Sequence, residues 1–186
     1  MKRVFLAVPV GQEPAIGQFY DKIRAGLAEE KIKWVRPENL HLTLHFFGDL
    51  EEEDIARVDR LFGQFLTLLP AFGLSFRGVG VFPGLQRPRV LWVGTEPAAL
   101  LDRLAETVEE VLIEGDFDLP DKPFSPHLTI GRIKWIGDRK KFAEVITDNR
   151  DVPVTRLPVN EIHLLESILR PEGPEYRVLH SYGLKG

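Results

Sequence analysis

Two β-patterned segments, NLHLTLHFFG at 39–48 and SPHLTIGR at 125–132, share one core, and the distance between them constrains the fold more than any other feature. His41 and His127 stand 86 residues apart (127 − 41), and Thr43 and Thr129 repeat that step. Arg3-Val4 and Arg89-Val90, upstream, share it as well (89 − 3). One repeat of this length describes a duplicated unit, since a solenoid needs three or more copies of roughly 20–50 residues. Between the anchors the helix faces drift, because Ile16 plus 86 falls on Asp102. The copy is therefore one of topology.

The unit can be read from its periodicities. KRVFLAVPV is a strand, and Ile16, Phe19, Tyr20, Ile23 and Leu27 follow the 3.6 period of an amphipathic helix. KIKWVRP and LHLTLHFFG read as strands. Asp49 is placed to cap a helix whose face is Ile55, Val58, Phe62, Phe65 and Leu69, with Glu51, Glu52 and Glu53 in its first turn. FGLSFRGVGVF and PRVLWVGTE are strands, and a helix follows with Leu101, Leu104, Val108 and Val111 on one side. After HLTIGRIKW come a short helix over 139–149 and two closing strands around NEIHLLES and EYRVLHSYGL. The expected class is α+β: a bilobal, duplicated fold of two antiparallel sheets with helices on the outer faces, pseudo-twofold symmetric about a central cleft. With 186 residues, one domain of two interleaved lobes suffices, the sequence repeats covering about 1–85 and 86–186.

Composition narrows the chemistry. The chain has no cysteine, which excludes a thiolate nucleophile and a disulfide framework. Its longest apolar runs are short for a bilayer and its N-terminus lacks a cleavage-site pattern, so the expectation is a cytoplasmic protein that does not span a membrane. A net charge of −4 with pI about 5.8 confines any contact with a polyanion to a local patch.

On a strand, residues i, i+2 and i+4 share a face, so His41, Thr43 and His45 are expected to project together, with Leu42 and Leu44 turned to the core. A lone histidine there is an ordinary polar strand residue. Two of five histidines followed by x-Thr, with only seven threonines in 186 residues, is not. His41 and His45 would lie about 13 Å apart along a strand, too far to share an ion, and no carboxylate stands at ligand spacing, so no metal and no cofactor is expected. No G-x-S-x-G elbow is present. What remains is a symmetric pair of imidazoles, suited to supplying a base and an acid near neutral pH, with two threonine hydroxyls as donors to an anion between them. Arg132, five residues past His127, would face away under strict alternation, but Gly131 permits a bulge that re-aims it toward a phosphate. Phe46 holds the corresponding place in the first repeat (132 − 86).

These motifs, with RVFLAVPV, WVRPENLHLTLHFFG, GVGVFP, RPRVLWVG, FSPHLTIGR and NEIHLLES followed by Tyr176, make nearly the whole chain resemble the two-histidine (2H) phosphoesterases, in particular the RNA 2′,3′-cyclic phosphodiesterases, also called 2′-5′ RNA ligase-like. The resemblance implies metal-free hydrolysis of a ribose 2′,3′-cyclic phosphate, on RNA or a nucleotide, to a 2′-phosphate. It leaves reversible 2′-5′ ligation open. Carried over by position, His41 and His127 match the catalytic histidines, Thr43 and Thr129 the phosphate-binding threonines, and Arg132 the arginine after the second motif. His45 lies at a variable place and is expected on the cleft wall. His127 is cast as base and His41 as acid, an assignment that pseudo-symmetry leaves open. Arg87, Arg89, Lys122, Lys134, Arg139, Lys140 and Lys141 are candidates to line an RNA path. No protein partner is expected, and the chain is expected to be a monomer. Two alternatives keep the same residues: hydrolysis of another cyclic phosphate such as ADP-ribose 1″,2″-cyclic phosphate, and a phosphate- or nucleotide-binding module without turnover.

Overall fold

Alternating apolar strands that each bury one face need a layer to bury it against, and this chain supplies four amphipathic helices. A computed structural model describes residues 1–186 as nine strands and four α-helices. In order these are β1 (Lys2–Pro9), α1 (Pro14–Gly26), β2 (Lys31–Trp34), β3 (His41–Leu50), α2 (Glu52–Leu66), β4 (Phe72–Phe82), β5 (Val90–Thr95) and α3 (Ala99–Glu114). They continue as β6 (His127–Trp135), α4 (Arg139–Asn149), β7 (Pro153–Val159), β8 (Glu161–Arg170) and β9 (Gly173–Gly183).

The strands follow the order β7-β4-β5-β6-β3-β1-β8-β9, all antiparallel, with β2 added along β6. β3 and β6 are joined only through Leu42 and Leu128. The two sheets expected from the repeat are thus a five-stranded half (β7, β4, β5, β6 and β2) and a four-stranded half (β3, β1, β8 and β9) that continue into one another at a single residue pair. Joining there satisfies backbone groups that two open edges would leave unpaired. Each half mixes strands of the two sequence repeats, since β8 and β9 flank β1 while β4 flanks β5.

Helix faces fall where periodicity puts them. Ile16, Phe19, Tyr20 and Ile23 of α1, and Leu101, Leu104, Val108 and Val111 of α3, are buried. They belong to one large core with alternate strand residues such as Val4, Leu6 and Val8. The strand residues between these, Phe5 and Ala7, face the other way and form a small apolar cluster with Leu165, against which Tyr176 packs. That second face is the cleft.

Four expectations change. β3 runs on through Asp49 to Leu50, so Glu51, without a side-chain cap bond, precedes α2. Leu66, not Phe65 or Leu69, completes its buried face. β7 was not legible because Pro153 and Pro158 argue against a strand; it lies at the sheet's edge, where a missing N–H costs no ladder bond. Finally, Ala7 pairs with Thr43 whereas Trp92 pairs with Thr129, so the ladder aligns β1 with β5 at 85 residues (92 − 7). The Arg3-Val4 and Arg89-Val90 match is out of register by one, and Arg3 and Arg89 do not occupy equivalent places.

Candidate active site

The Leu42–Leu128 pair sets the site. In an antiparallel ladder this register puts His41 opposite Thr129 and Thr43 opposite His127, all on the face away from the two buried leucines. The two histidines are then diagonal neighbours, about 7–8 Å apart in a regular ladder and somewhat less at Cβ.

Each ring is held in the same way. His41 Nδ1–H donates to the carbonyl of Asn39 at 2.7 Å, and His127 Nδ1–H donates to the carbonyl of Ser125, also at 2.7 Å. A carbonyl can only accept, so this bond fixes the neutral tautomer and leaves Nε2 of each ring free for chemistry. Asn39 and Ser125 are themselves 86 residues apart (125 − 39), as are Pro37 and Pro123 (123 − 37). The motif is therefore better written P-x-x-x-H-x-T, and the proline was the available signal for the two positioning carbonyls.

The surroundings differ. His41 lies between Phe5 (centroids 4.9 Å apart) and the edge of Tyr176 (5.1 Å). His127 has one such neighbour, Phe82, at 5.0 Å, and its carbonyl bond is solvent-exposed. Burial pushes the His41 imidazole below its ordinary value; the Asn39 carbonyl opposes this, and the charge of His127 adds to it. Asn39 Nδ2 also donates to the Pro174 carbonyl at 2.8 Å, tying the turn that holds His41 to the strand that carries Tyr176.

Both strands bulge after the threonine. Leu6 pairs with His45 but Ala7 with Thr43, which leaves Leu44 extra; Leu91 pairs with Gly131 but Trp92 with Thr129, which leaves Ile130 extra. A bulge inverts the alternation beyond it. Arg132 and Phe46 consequently emerge on the histidine face, both exposed, as the glycine suggested for Arg132. His45 does not. It is buried at 9% exposure, edge-on to Phe47 at 4.6 Å, and burial lowers its pKa against an opposing effect of Asp118. The expectation that His45 projects with His41 and Thr43 is corrected, although it lines the same cavity as Thr43 and His127.

Two guanidinium groups act on the Tyr176 hydroxyl, whose pKa burial raises and Arg132 and then Arg3 lower. Arg3 also stacks on Phe46, 4.9 Å from the ring centre. Sequence reasoning gave no role to Arg3, Phe5 or Phe82, because strand alternation alone does not say which face becomes the cleft. Arg139, Lys140 and Lys141 belong to α4, which packs on β4 through the core, and Arg139 donates to the Gln86 carbonyl at 3.2 Å. No group of three His, Asp or Glu side chains is arranged to hold a metal, and no helix is long and apolar enough to cross a membrane.

Comparison with known proteins agrees over the whole chain. The family described as LigT like Phosphoesterase matches twice, over residues 6–92 and 93–176. A Methanothermobacter thermautotrophicus protein named RNA 2′,3′-cyclic phosphodiesterase is 35% identical, covering 98% of both chains. An Archaeoglobus fulgidus protein of the same name is 36% identical, covering 97% of this chain and 99% of its own. The crystal structure of a Thermus thermophilus protein superposes with a TM-score of 0.79 at 31% identity, covering 99% and 98% of the two chains. That of E. coli LigT complexed with 3′-AMP gives 0.75 at 24% identity, covering 100% and 99%, and shares the fold.

Proposed function

The chain belongs to the LigT-like phosphoesterase family, and from that premise we propose that it hydrolyses ribose 2′,3′-cyclic phosphates, on RNA ends or nucleotides, to 2′-phosphates. The reaction is acid–base catalysis between His41 and His127 and needs no metal. One observation carries the reading: two imidazoles on a pseudo-twofold pair of strands, each with Nδ1 bonded to the carbonyl two residues upstream and Nε2 left free.

His127 stands at the more open rim, where water arrives, and takes a proton from that water as it attacks phosphorus. The P–O3′ bond breaks, and His41 gives its proton to O3′, leaving a 2′-phosphate and a free 3′-hydroxyl. A buried imidazolium holds its proton weakly, which makes His41 a strong acid, and the bound phosphate anion supplies the charge that loads it. Thr43, Thr129 and Arg132 donate to the non-bridging oxygens. Both proton transfers have their own group, and the arginine meets the phosphate charge, so the arrangement calls for no Lewis acid.

The test is a product assay on adenosine 2′,3′-cyclic phosphate and on RNA ending in a cyclic phosphate, with EDTA present throughout. The expected product is the 2′-phosphate alone, at a rate EDTA does not alter. A 3′-phosphate product, or turnover lost to EDTA and restored by zinc or manganese, overturns the mechanism. Binding with no turnover overturns the enzyme reading.

A further inference from the structure

Beyond Thr129 and Arg132, β6 runs out of the cleft toward one end of the molecule, where cations gather. Segments 31–34, 85–89 and 132–141 hold two, two and five of the chain's 24 lysines and arginines, nine in all, against a single acid, Asp138. All nine are exposed. Pairing brings the segments together: Lys33 lies opposite Arg132 and Lys31 opposite Trp135, the Arg89 carbonyl accepts from the Ile133 N–H at 2.8 Å, and Arg139 donates to the Gln86 carbonyl. Ile32 and Ile133 pack into the core, which turns Lys33 and Arg132 to the cleft face. Of the nine, only Lys140 has a carboxylate within 4.0 Å, that of Glu144. Asp138 caps α4 by accepting from the Lys141 N–H.

The equivalent end of the other half has the opposite sign. Position 135 answers to 49 (135 − 86), and residues 49–54 read Asp-Leu-Glu-Glu-Glu-Asp, five acids without a cation. β2, which supplies Lys31 and Lys33, has no counterpart there, since residues 117–120 (31 + 86 to 34 + 86) form no strand. The basic end is therefore not a by-product of the duplication, and on a chain of net charge −4 it is not a by-product of composition. Among its cations stands Trp135, 57% exposed, its ring laid against Gly137, where a Cβ would come within 2.7 Å. Lys31 Nζ is 5.8 Å from the ring centre. A lone exposed apolar residue is ordinary; an indole held open among cations is the arrangement on which nucleic-acid bases stack.

Resting on the proposed reaction for the end that enters the cleft, we propose that this basic end is a docking surface for the single-stranded body of an RNA, several nucleotides upstream of the reacting phosphate, with Trp135 beneath one base and the cations on phosphates. The nine residues of β6 from His127 to Trp135 span about 25 Å at roughly 3.3 Å per residue. At a stacked rise of ~3.4 Å that is about seven nucleotides. Paired bases offer the indole no free face, so a duplex is the poorer occupant. Phosphates carry no sequence information and every base has a π-face, so the surface reads no sequence. A mononucleotide gains nothing from it. The surface thus favours RNA ends over small cyclic nucleotides without taking part in the chemistry.

A labelled single-stranded RNA of about twelve nucleotides ending in a 3′-hydroxyl tests the surface without turnover. It should bind more tightly than a dinucleotide, with an affinity that falls steeply as salt rises. Trp135→Ala should weaken it about tenfold, the loss of one stacked base. Lys31→Ala combined with Lys134→Ala should flatten the slope of log affinity against log salt by about 1.4, from two phosphate contacts at roughly 0.7 each. Both variants change exposed side chains only, and kcat and KM for adenosine 2′,3′-cyclic phosphate should stay at their wild-type values. For RNA ending in a cyclic phosphate, KM should fall with length in the wild type and fall less in Trp135→Ala. Binding that ignores length, or that neither variant weakens, overturns the surface. So does a blunt RNA duplex or poly-glutamate that binds as tightly as the single strand and with the same sensitivity to Trp135→Ala. Binding as expected with no turnover of any cyclic phosphate upholds the surface and faults the proposed reaction instead.

Discussion

The strand at 41–46 and the strand at 127–132 begin as copies and end as opposites. Both hold a histidine by the carbonyl two residues upstream, both present a threonine, and both bulge at the next position. After the bulge one offers Phe46 and the other Arg132, one buries His45 beside a cavity and the other packs Gly131 under β2. The common part is what the proposed pair of proton transfers requires. The differing part gives the two sides of the cleft different chemistry.

The largest test of the comparison is to remove each histidine. His41→Ala and His127→Ala should each lose roughly 10²-fold or more in kcat, and the double variant far less than the product of the two, because the pair acts as a unit. A cyclic phosphate with a better leaving group at O3′ should rescue His41→Ala and leave His127→Ala impaired. Rescue of the other variant would exchange the roles, and near-normal turnover in either would end paired catalysis.

Next in size is the difference beyond the bulge. Arg132→Leu should lose about 10- to 100-fold in kcat/KM, the worth of roughly 1.5–3 kcal/mol for a hydrogen bond to a charged group. Thr43→Ala and Thr129→Ala should each cost about 1–3 kcal/mol, and similarly to one another, since the threonines belong to the symmetric part. A large inequality between them would show that the asymmetry reaches further into the site than the bulge.

The smallest effect is the most discriminating. Burial behind Phe5 and Tyr176 holds His41 below the ordinary imidazole value of about 6.5 in the free protein. As the acid it must be protonated, so kcat/KM should fall as pH rises through that lowered value. Tyr176→Ala opens the ring to water, raises its pKa and should carry the alkaline limb of the profile upward. A profile unmoved by Tyr176→Ala would show that burial behind Tyr176 does not set the His41 proton affinity.

Much of this was legible in the residues because it is local. Helix faces follow from a 3.6 period, and the repeat of His, Thr and Pro at one offset places two equivalent strands in one chain. The bulge at Ile130 was legible too, since Gly131 beside it, a residue without a side chain, marks the place openly. Its twin at Leu44 was not: nothing in Leu-His announces a bulge, and simple alternation sent His45 to the wrong face. Register was likewise hidden, for two strands can share the pair Arg-Val and still align one residue apart.

The sequence by itself determined the pair of histidines, their threonines, the duplicated topology and the layer of helices, because each rests on spacing along the chain. Only the tertiary structure decided that the two halves join at Leu42 and Leu128, that Phe5 and Tyr176 pack on His41, and that a cavity opens where the second half lacks a counterpart of β2. Those features depend on contacts between segments far apart in the chain or on the absence of a covering strand, and neither leaves a periodicity to read.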